Sequence, residues 1–182
     1  MSTIQEDLLM SEHNTLSRYK FVSREIAVNE VIQGKMRDIK VVTIGILDKE
    51  TDIVYPHPLS NFIKASYEYM GGKVNTQAGP AQVVCRFLNF ILDKIQAGDE
   101  YFTDLRASGI SGLNTIHGSK FLTSLSLSGL QKNTVHQYEQ YLTRFYVYLK
   151  KMRLINERFE VEEVGSTFNG KKFKGFKSIF RD

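Results

Sequence analysis

Hydrophobic and polar positions follow two different periods along this chain of 182 residues. In the first third, the β-branched run "IKVVTIGIL", the polar stretch "DKET" and the short run "DIVYP" predict a β-hairpin from Ile39 to Tyr55. The preceding stretch, "KFVSREIAVNEVIQGKMRD", is ambiguous between a strand and a short helix. Ser23 suits a helix cap, whereas the density of β-branched residues favours a strand.

From Pro58 onward the apolar positions recur at helical spacing. Asn75–Thr76 and Asn133–Thr134 each precede such a pattern, and both pairs are predicted to cap a helix. The predicted helices run over "PLSNFIKASYEYM", from Asn75 to Ile95, over "LNTIHGSKFLTSLSLSG", and from Asn133 to Met152. The stretch "QAGDEYFTDLRASGISG" is predicted to be a loop with at most one helical turn.

Together these patterns predict a mainly α fold with three parts. Residues 1–57 form an amino-terminal segment with the β-hairpin, which packs on the helical part as a decoration or stands as a small domain of its own. Residues 58–156 form a compact four-helix domain, and residues 157–182 form a basic linker or tail.

Two of the predicted helices follow one template. When "NTQAGPAQVVCRFLNFIL" is aligned with "NTVHQYEQYLTRFYVYL", Arg86 falls on Arg144 and Phe87 on Phe145. In the second helix the predicted core positions are Val135, Tyr138, Leu142, Phe145, Leu149 and Met152, and the predicted outward positions are His136, Gln137, Gln140, Thr143, Arg144 and Lys151. Two such helices in one bundle would present equivalent polar edges to a long, repeating, anionic ligand.

The composition limits the classes of function. Hydrophobic residues at 42% and charged residues at 24% are typical of a folded protein, and no apolar run reaches the length of a membrane span. The single cysteine, Cys85, excludes an internal disulfide, so a cytoplasmic location is expected. The net charge is +4, and the ending "KKFKGFKSIFRD" is basic with interleaved aromatics. Such a run either follows a polyanion or is a solvated tail.

The helical part resembles the core-binding (SAM-like) domain of tyrosine recombinases, the phage-integrase family. The resemblance is carried by "GKVNTQAGPAQVVCRFLNFIL" and by "GLNTIHGSKFLTSLSLSGLQKNTVHQYEQYLTRFYVYLKKMRLIN", and it extends over about Pro58 to Asn156. It implies that this domain forms half of a clamp around duplex DNA, beside other recombinase protomers. The predicted DNA-binding residues are Asn75, Thr76, Arg86, Lys120, Lys132, Asn133, Thr134, His136, Gln137, Arg144, Lys151, Lys171, Lys172 and Lys174. Thr76 and Thr134 have the alternative role of ordinary helix caps.

The catalytic groups of that family are not recognisable in this chain. The resemblance implies a later domain with arginines, a lysine, a His-x-x-Arg element and a tyrosine nucleophile, and none of the four histidines is followed by arginine at the third place. We therefore expect the amino-terminal part of a recombinase, ending in a linker, that binds DNA without cutting it. No cofactor, metal, membrane or small-molecule substrate is expected. The alternative is a catalytically empty regulator that docks on a protein partner through residues such as Tyr141 and Tyr146.

Overall fold

A computed structural model of the chain describes residues 16–67, 74–168 and 171–180. The chain divides into two compact units, Met1–Asp99 (unit 1) and Glu100–Asp182 (unit 2). In the described residues, unit 1 combines a three-stranded sheet with helices, and unit 2 combines helices with a two-stranded hairpin. Each unit has its own buried apolar side chains, and each is described by itself.

The sheet of unit 1 is antiparallel, in the order β1 (Tyr19–Ile32), β2 (Lys35–Asp48) and β3 (Ile53–Pro56). The ambiguous stretch is therefore a strand, which agrees with its density of β-branched residues. Gln33 and Gly34 form the two-residue turn between β1 and β2, and both have positive φ, 52° and 74°, as a tight hairpin with the right twist requires. The predicted hairpin is confirmed as the pairing of β2 with β3.

Helices α1 (Ser60–Tyr67) and α2 (Val74–Gln96) of unit 1 each bond part of an edge of this sheet. The amide of Asn89 accepts from the Phe21 N–H at 2.8 Å and donates to the Phe21 carbonyl at 2.9 Å, as a neighbouring strand would. On the other edge, the Ser60 hydroxyl bonds both the N–H and the carbonyl of Ile44. Buried apolar residues of this unit include Ile44, Phe62, Ile63, Val83, Val84 and Phe87. The hairpin is thus an integral part of the unit.

Unit 2 begins with α3 (Leu105–Ser108) and a short 3-10 helix (Gly109–Gly112), followed by α4 (Thr115–Leu127) and α5 (Lys132–Lys151). Asn114 caps α4 in a capping box with His117, and the Glu157 carboxylate accepts from the Thr115 N–H at 2.7 Å. Both interactions stabilise the start of α4, because they satisfy amides that the helix itself leaves free. The buried apolar side chains of this unit are Phe102, Leu105, Leu113, Phe121, Leu122, Leu125, Leu142, Phe145, Tyr146, Leu149 and Ile155.

The segment after α5 folds back on unit 2. Strands β4 (Glu163–Phe168) and β5 (Lys171–Phe176) pair antiparallel, in a region that the sequence predicts to be a linker or tail. The rings of Phe159 and Phe180 stand edge-on to the buried Tyr146 ring, with centroids at 6.4 Å and 5.2 Å. Lys150 donates to the Phe159 carbonyl and holds its ammonium 4.7 Å from the centre of that ring. These contacts attach the segment to α5.

The predicted fold class was wrong. The described helices do not form one compact four-helix domain preceded by a hairpin, because α2 packs with the three-stranded sheet in unit 1 while α4 and α5 lie in unit 2. The division into units falls at Asp99, inside the span 58–156. Individual helices were nevertheless predicted well: α1, α2, α4 and α5 each overlap a segment of helical spacing. The error lies in how the helices associate.

Candidate nucleic-acid interface

The charge of the chain is divided unequally between the two units. Unit 1 contains eleven Lys and Arg and twelve Asp and Glu, a formal charge of −1. Unit 2 contains thirteen Lys and Arg and eight Asp and Glu, a formal charge of +5. The positive excess of the whole chain therefore belongs to unit 2. A surface that attracts an anionic polymer is accordingly expected there.

Helix α5 is amphipathic, and its outward face is polar and free of acids. Leu142, Thr143, Phe145, Tyr146 and Leu149 are buried. The residues roughly opposite, at 3.6 residues per turn, form what we call the polar stripe: Asn133, Gln137, Gln140, Arg144 and Lys151. Glu139 is the one acid in α5, and it lies on the flank, where its carboxylate pairs with His136 Nδ1 at 3.1 Å. Amide and cationic side chains alone therefore make up the stripe.

The start of α5 differs from the prediction. The cap is Gln131, whose side chain makes no capping hydrogen bond, and its carbonyl accepts from the N–H groups of Thr134 and Val135. Asn133 and Thr134 therefore lie in the first turn, two residues later than a cap, and the prediction that they cap α5 was wrong. They still lie at the positive end of the helix dipole, beside Lys132.

The equivalent pair in α2 is also inside the helix. Val74 begins α2, so Asn75 and Thr76 follow it within the first turn, where Thr76 is exposed. The side chain of Asn75 is outside the described part of the structure, as are those of Lys171, Lys172 and Lys174 in β5. For these four side chains, DNA binding stays a prediction from the sequence.

The predicted DNA-binding residues fall into two sets. Asn75, Thr76 and Arg86 belong to unit 1, and Arg86 is exposed on α2. The other predicted residues belong to unit 2, and those with described side chains are Lys120, Lys132, Asn133, Thr134, His136, Gln137, Arg144 and Lys151. The structure brings the members of the second set together on or beside α5, apart from Lys120 on α4. Helices α2 and α5 belong to different units.

Two members of this set already have aromatic partners. The Lys120 ammonium lies 3.6 Å from the centre of the Tyr101 ring, and the Gln137 amide donates to the Tyr141 hydroxyl at 2.9 Å. Tyr101 is 51% exposed, so Lys120 remains at the surface of unit 2 while the ring orients it. The sequence did not predict a role for Tyr101, which orients Lys120. The two residues are about twenty positions apart in the chain, and periodicity does not reveal contacts at that separation.

Three assignments on or beside α5 were wrong. Thr143, predicted to face outward, is fully buried, and among the described residues its hydroxyl has no hydrogen-bond partner. Tyr146, offered as a surface docking residue, is also fully buried and donates to the Asn114 carbonyl at 2.7 Å. Met152, predicted to be core, follows the last residue of the helix and is 54% exposed. The buried sector is therefore displaced toward Tyr146, the side against which the carboxy-terminal segment packs.

The buried histidine of unit 2, His117, has structural partners for both ring nitrogens. His117 Nδ1 accepts from the Asn114 N–H at 3.1 Å, and its Nε2 lies 2.8 Å from the Tyr101 carbonyl, which makes Nε2 the donor. Burial lowers the pKa of His117, so this neutral tautomer is favoured. In unit 1, burial raises the pKa of the Cys85 thiol to about 12, which keeps it protonated. Across the described ranges, no cluster of three or more His, Cys, Asp or Glu residues is placed to hold a metal ion.

Comparison with family models, with curated proteins and with solved structures gives no match for this chain. The resemblance to tyrosine recombinases therefore stays a prediction from the helical motifs of the sequence. In the part of the chain that the structure describes, none of the helices combines the length and the apolarity needed to cross a lipid bilayer.

Proposed function

We propose that unit 2 binds duplex DNA and that α5 is the element that lies against it. The observation that carries this proposal is the polar stripe, in which three amides, one arginine and one lysine follow each other along the helix without an acid. The formal charge of +5 on the same unit supports it, because neutralisation of phosphates supplies most of the affinity of a protein for DNA.

The dimensions and chemistry of the stripe suit a groove. A helix of 20 residues is about 30 Å long, and the major groove admits one helix. Arg144 and the amides of Gln137 and Gln140 are side chains that pair with base edges, whereas Lys151 and Lys132, near the two ends of α5, suit phosphates. The first turn of α5 adds backbone N–H groups at the positive end of the helix dipole.

The resemblance gives this binding a biological setting. We propose that the chain is the DNA-binding portion of a site-specific tyrosine recombinase or integrase, acting in the cytoplasm beside other recombinase protomers. In this proposal the chain binds the recombination half-site without a cofactor and does not itself break the DNA. A separate domain supplies the cutting and rejoining. This role depends on the sequence resemblance, whereas the binding of DNA by α5 depends on the geometry of unit 2.

The test is the affinity of the full chain for a labelled duplex, measured by fluorescence anisotropy over a range of salt concentrations. We expect affinity that falls steeply with salt, and a loss of about 1–3 kcal/mol of binding free energy for Arg144→Ala if it contacts a base. Lys132→Ala should weaken binding to all sequences and reduce the salt slope by about one. Arg86→Ala is the matched control, because it removes an arginine from the aligned position in unit 1.

Two results would contradict the proposal. If the chain binds no duplex at low salt, unit 2 is not a DNA-binding module. If Arg86→Ala and Arg144→Ala weaken binding equally, the binding of DNA is not specific to α5, and the proposed role of this helix is wrong. A protein partner whose binding is lost with Tyr141→Ala but not with Arg144→Ala would favour the alternative, a regulatory interaction module.

A further inference from the structure

The outer edge of β2 is covered only along part of its length. Strand β3 pairs with residues Gly45–Asp48 of β2 and ends there. The Ile44 N–H is bonded by the Ser60 hydroxyl at 3.0 Å, and the Val42 N–H by the Gln77 side-chain oxygen at 3.0 Å. Backbone groups alternate sides along a strand, so the even-numbered residues of β2 turn their N–H and carbonyl groups away from β1.

The next even-numbered residues are Lys40 and Asp38, both exposed. Within the described residues, nothing pairs with the backbone of either one on this outer side. A groove of about 330 Å³ lies near this edge and is lined by residues of β1, β2 and α1, with Val28, Val41 and Lys64 among them. An uncovered strand edge with open space beside it is a template for one more strand.

We propose that this edge pairs with the same edge of a second copy of the chain. The two β2 strands run antiparallel about a two-fold axis at Ile39, and the two sheets become one six-stranded sheet. Asp38 of each copy then faces Lys40 of the other, and each of these pairs exchanges two backbone hydrogen bonds. The first residues of the second β2 strand occupy the groove beside α1.

Charge selects this register. If one strand slides by two residues, either Asp38 faces Asp38 or Lys40 faces Lys40, and like charges placed directly opposite are unfavourable. A lysine on a strand edge ordinarily discourages pairing, and only a strand with an acid at the opposing position accommodates it. Asp38 and Lys40 lie on either side of Ile39, so when two copies of β2 pair about Ile39, the Asp38 of each copy is the acid opposite the Lys40 of the other. The Lys40 ammonium also pairs with Glu25 of its own chain at 2.7 Å, which orients it.

Sedimentation of the full chain in the absence of DNA tests this proposal. We expect a wild-type dimer that dissociates on dilution, because the interface is small. Asp38→Lys and Lys40→Asp should each weaken it about tenfold, since each places two like-charged pairs opposite one another. An equimolar mixture of the two variants should dimerise again, because every facing pair is then one lysine and one aspartate. Asp93→Lys, the same charge change at an exposed position on α2, should leave the dimer unchanged.

Hydrogen exchange of the wild-type chain is a second test of the proposed dimer and needs no substitution. Hydrogen exchange at the Asp38 and Lys40 amides of the wild-type chain should slow as the concentration rises. The Ala27 amide, which points to the opposite edge of the ribbon, should exchange at a constant rate. A chain that stays monomeric at about 1 mM overturns the proposal. The proposal is also overturned if both single variants dimerise as well as the wild type, or if their mixture stays monomeric. Exchange at the Asp38 and Lys40 amides that is independent of concentration would overturn it as well.

Discussion

The contact between Gly118 and Phe180 makes the packing of the carboxy-terminal segment testable. Gly118 is buried within α4, and a Cβ atom at this position would overlap the Phe180 ring. That ring in turn stands edge-on to Tyr146, with the ring centres 5.2 Å apart. A methyl group at residue 118 therefore displaces Phe180 and separates it from Tyr146.

The expected free energies follow from these contacts. In a helix, alanine is more favourable than glycine by about 0.5–1 kcal/mol. Displacement of Phe180 loses an aromatic pair worth about 0.5–1.5 kcal/mol and part of the burial of a half-buried ring, about 1–1.5 kcal/mol. Gly118→Ala should therefore destabilise the wild-type chain by about 1–2 kcal/mol. In a Phe180→Ala background the same change should stabilise the chain by about 0.5–1 kcal/mol, because the Phe180 ring is no longer present to clash with the new methyl group.

The assay is a double-mutant cycle of Gly118→Ala and Phe180→Ala, measured by urea denaturation with circular dichroism. Amide exchange within α4 assigns the change to unit 2. Thr123→Ala is the matched control, because Thr123 is an exposed residue of the same helix and should show the same gain in both backgrounds. If Gly118→Ala is stabilising by the same amount with and without Phe180, the segment does not pack on α4 and the expected coupling is refuted.

Three further predictions concern the stability of the units. Burial lowers the pKa of His117, so its contribution to stability is full above about pH 6.5 and decreases as the pH falls; His117→Gln should flatten the pH dependence of unfolding below about pH 6.5. The Arg18 guanidinium lowers the pKa of Asp48 well below its usual range, so Arg18→Ala should reduce stability in full above about pH 4, and the difference should decrease progressively as the pH falls further, measured by thermal unfolding. Asn89→Ala should cost about 1–3 kcal/mol in urea denaturation, because both hydrogen bonds to Phe21 are lost, and an unchanged midpoint would contradict this.

The periodicity of the sequence was enough to locate most elements, because each element needs a continuous apolar stripe whatever it packs against. The same periodicity does not determine which elements pack their apolar stripes against each other. The caps show a related limit. Asn and Thr are acceptable both at a cap and in the first turn, so a pattern cannot fix the start of α5 to within two residues. The cap is Gln131 instead, whose carbonyl accepts from the N–H groups of Thr134 and Val135.

The site could be predicted in part. The polar stripe follows from the apolar one, so Gln137, Arg144 and Lys151 were placed on the outward side before the fold was known. Tyr146 was misplaced because residues 157–182, which contact it through Phe159 and Phe180, were predicted to be a linker. A segment that packs on α5 through Phe159 and Phe180 widens the buried sector, and that contact depends on tertiary structure.

Helices α2 and α5 have similar sequences because each must bury one apolar stripe, and this similarity does not require a shared ligand. In α2 the apolar stripe packs with a sheet, and in α5 with α4 and the carboxy-terminal segment. A long cationic side chain such as Arg86 or Arg144 suits the outward side of such a helix, because its charge reaches water while its methylene groups cover neighbouring surface. Sequence similarity between the helices is thus compatible with different roles. The charge of the surrounding unit separates them: unit 2 has a formal charge of +5 and unit 1 of −1, so in the proposed function α5, and not α2, is the helix expected to bind an anionic polymer.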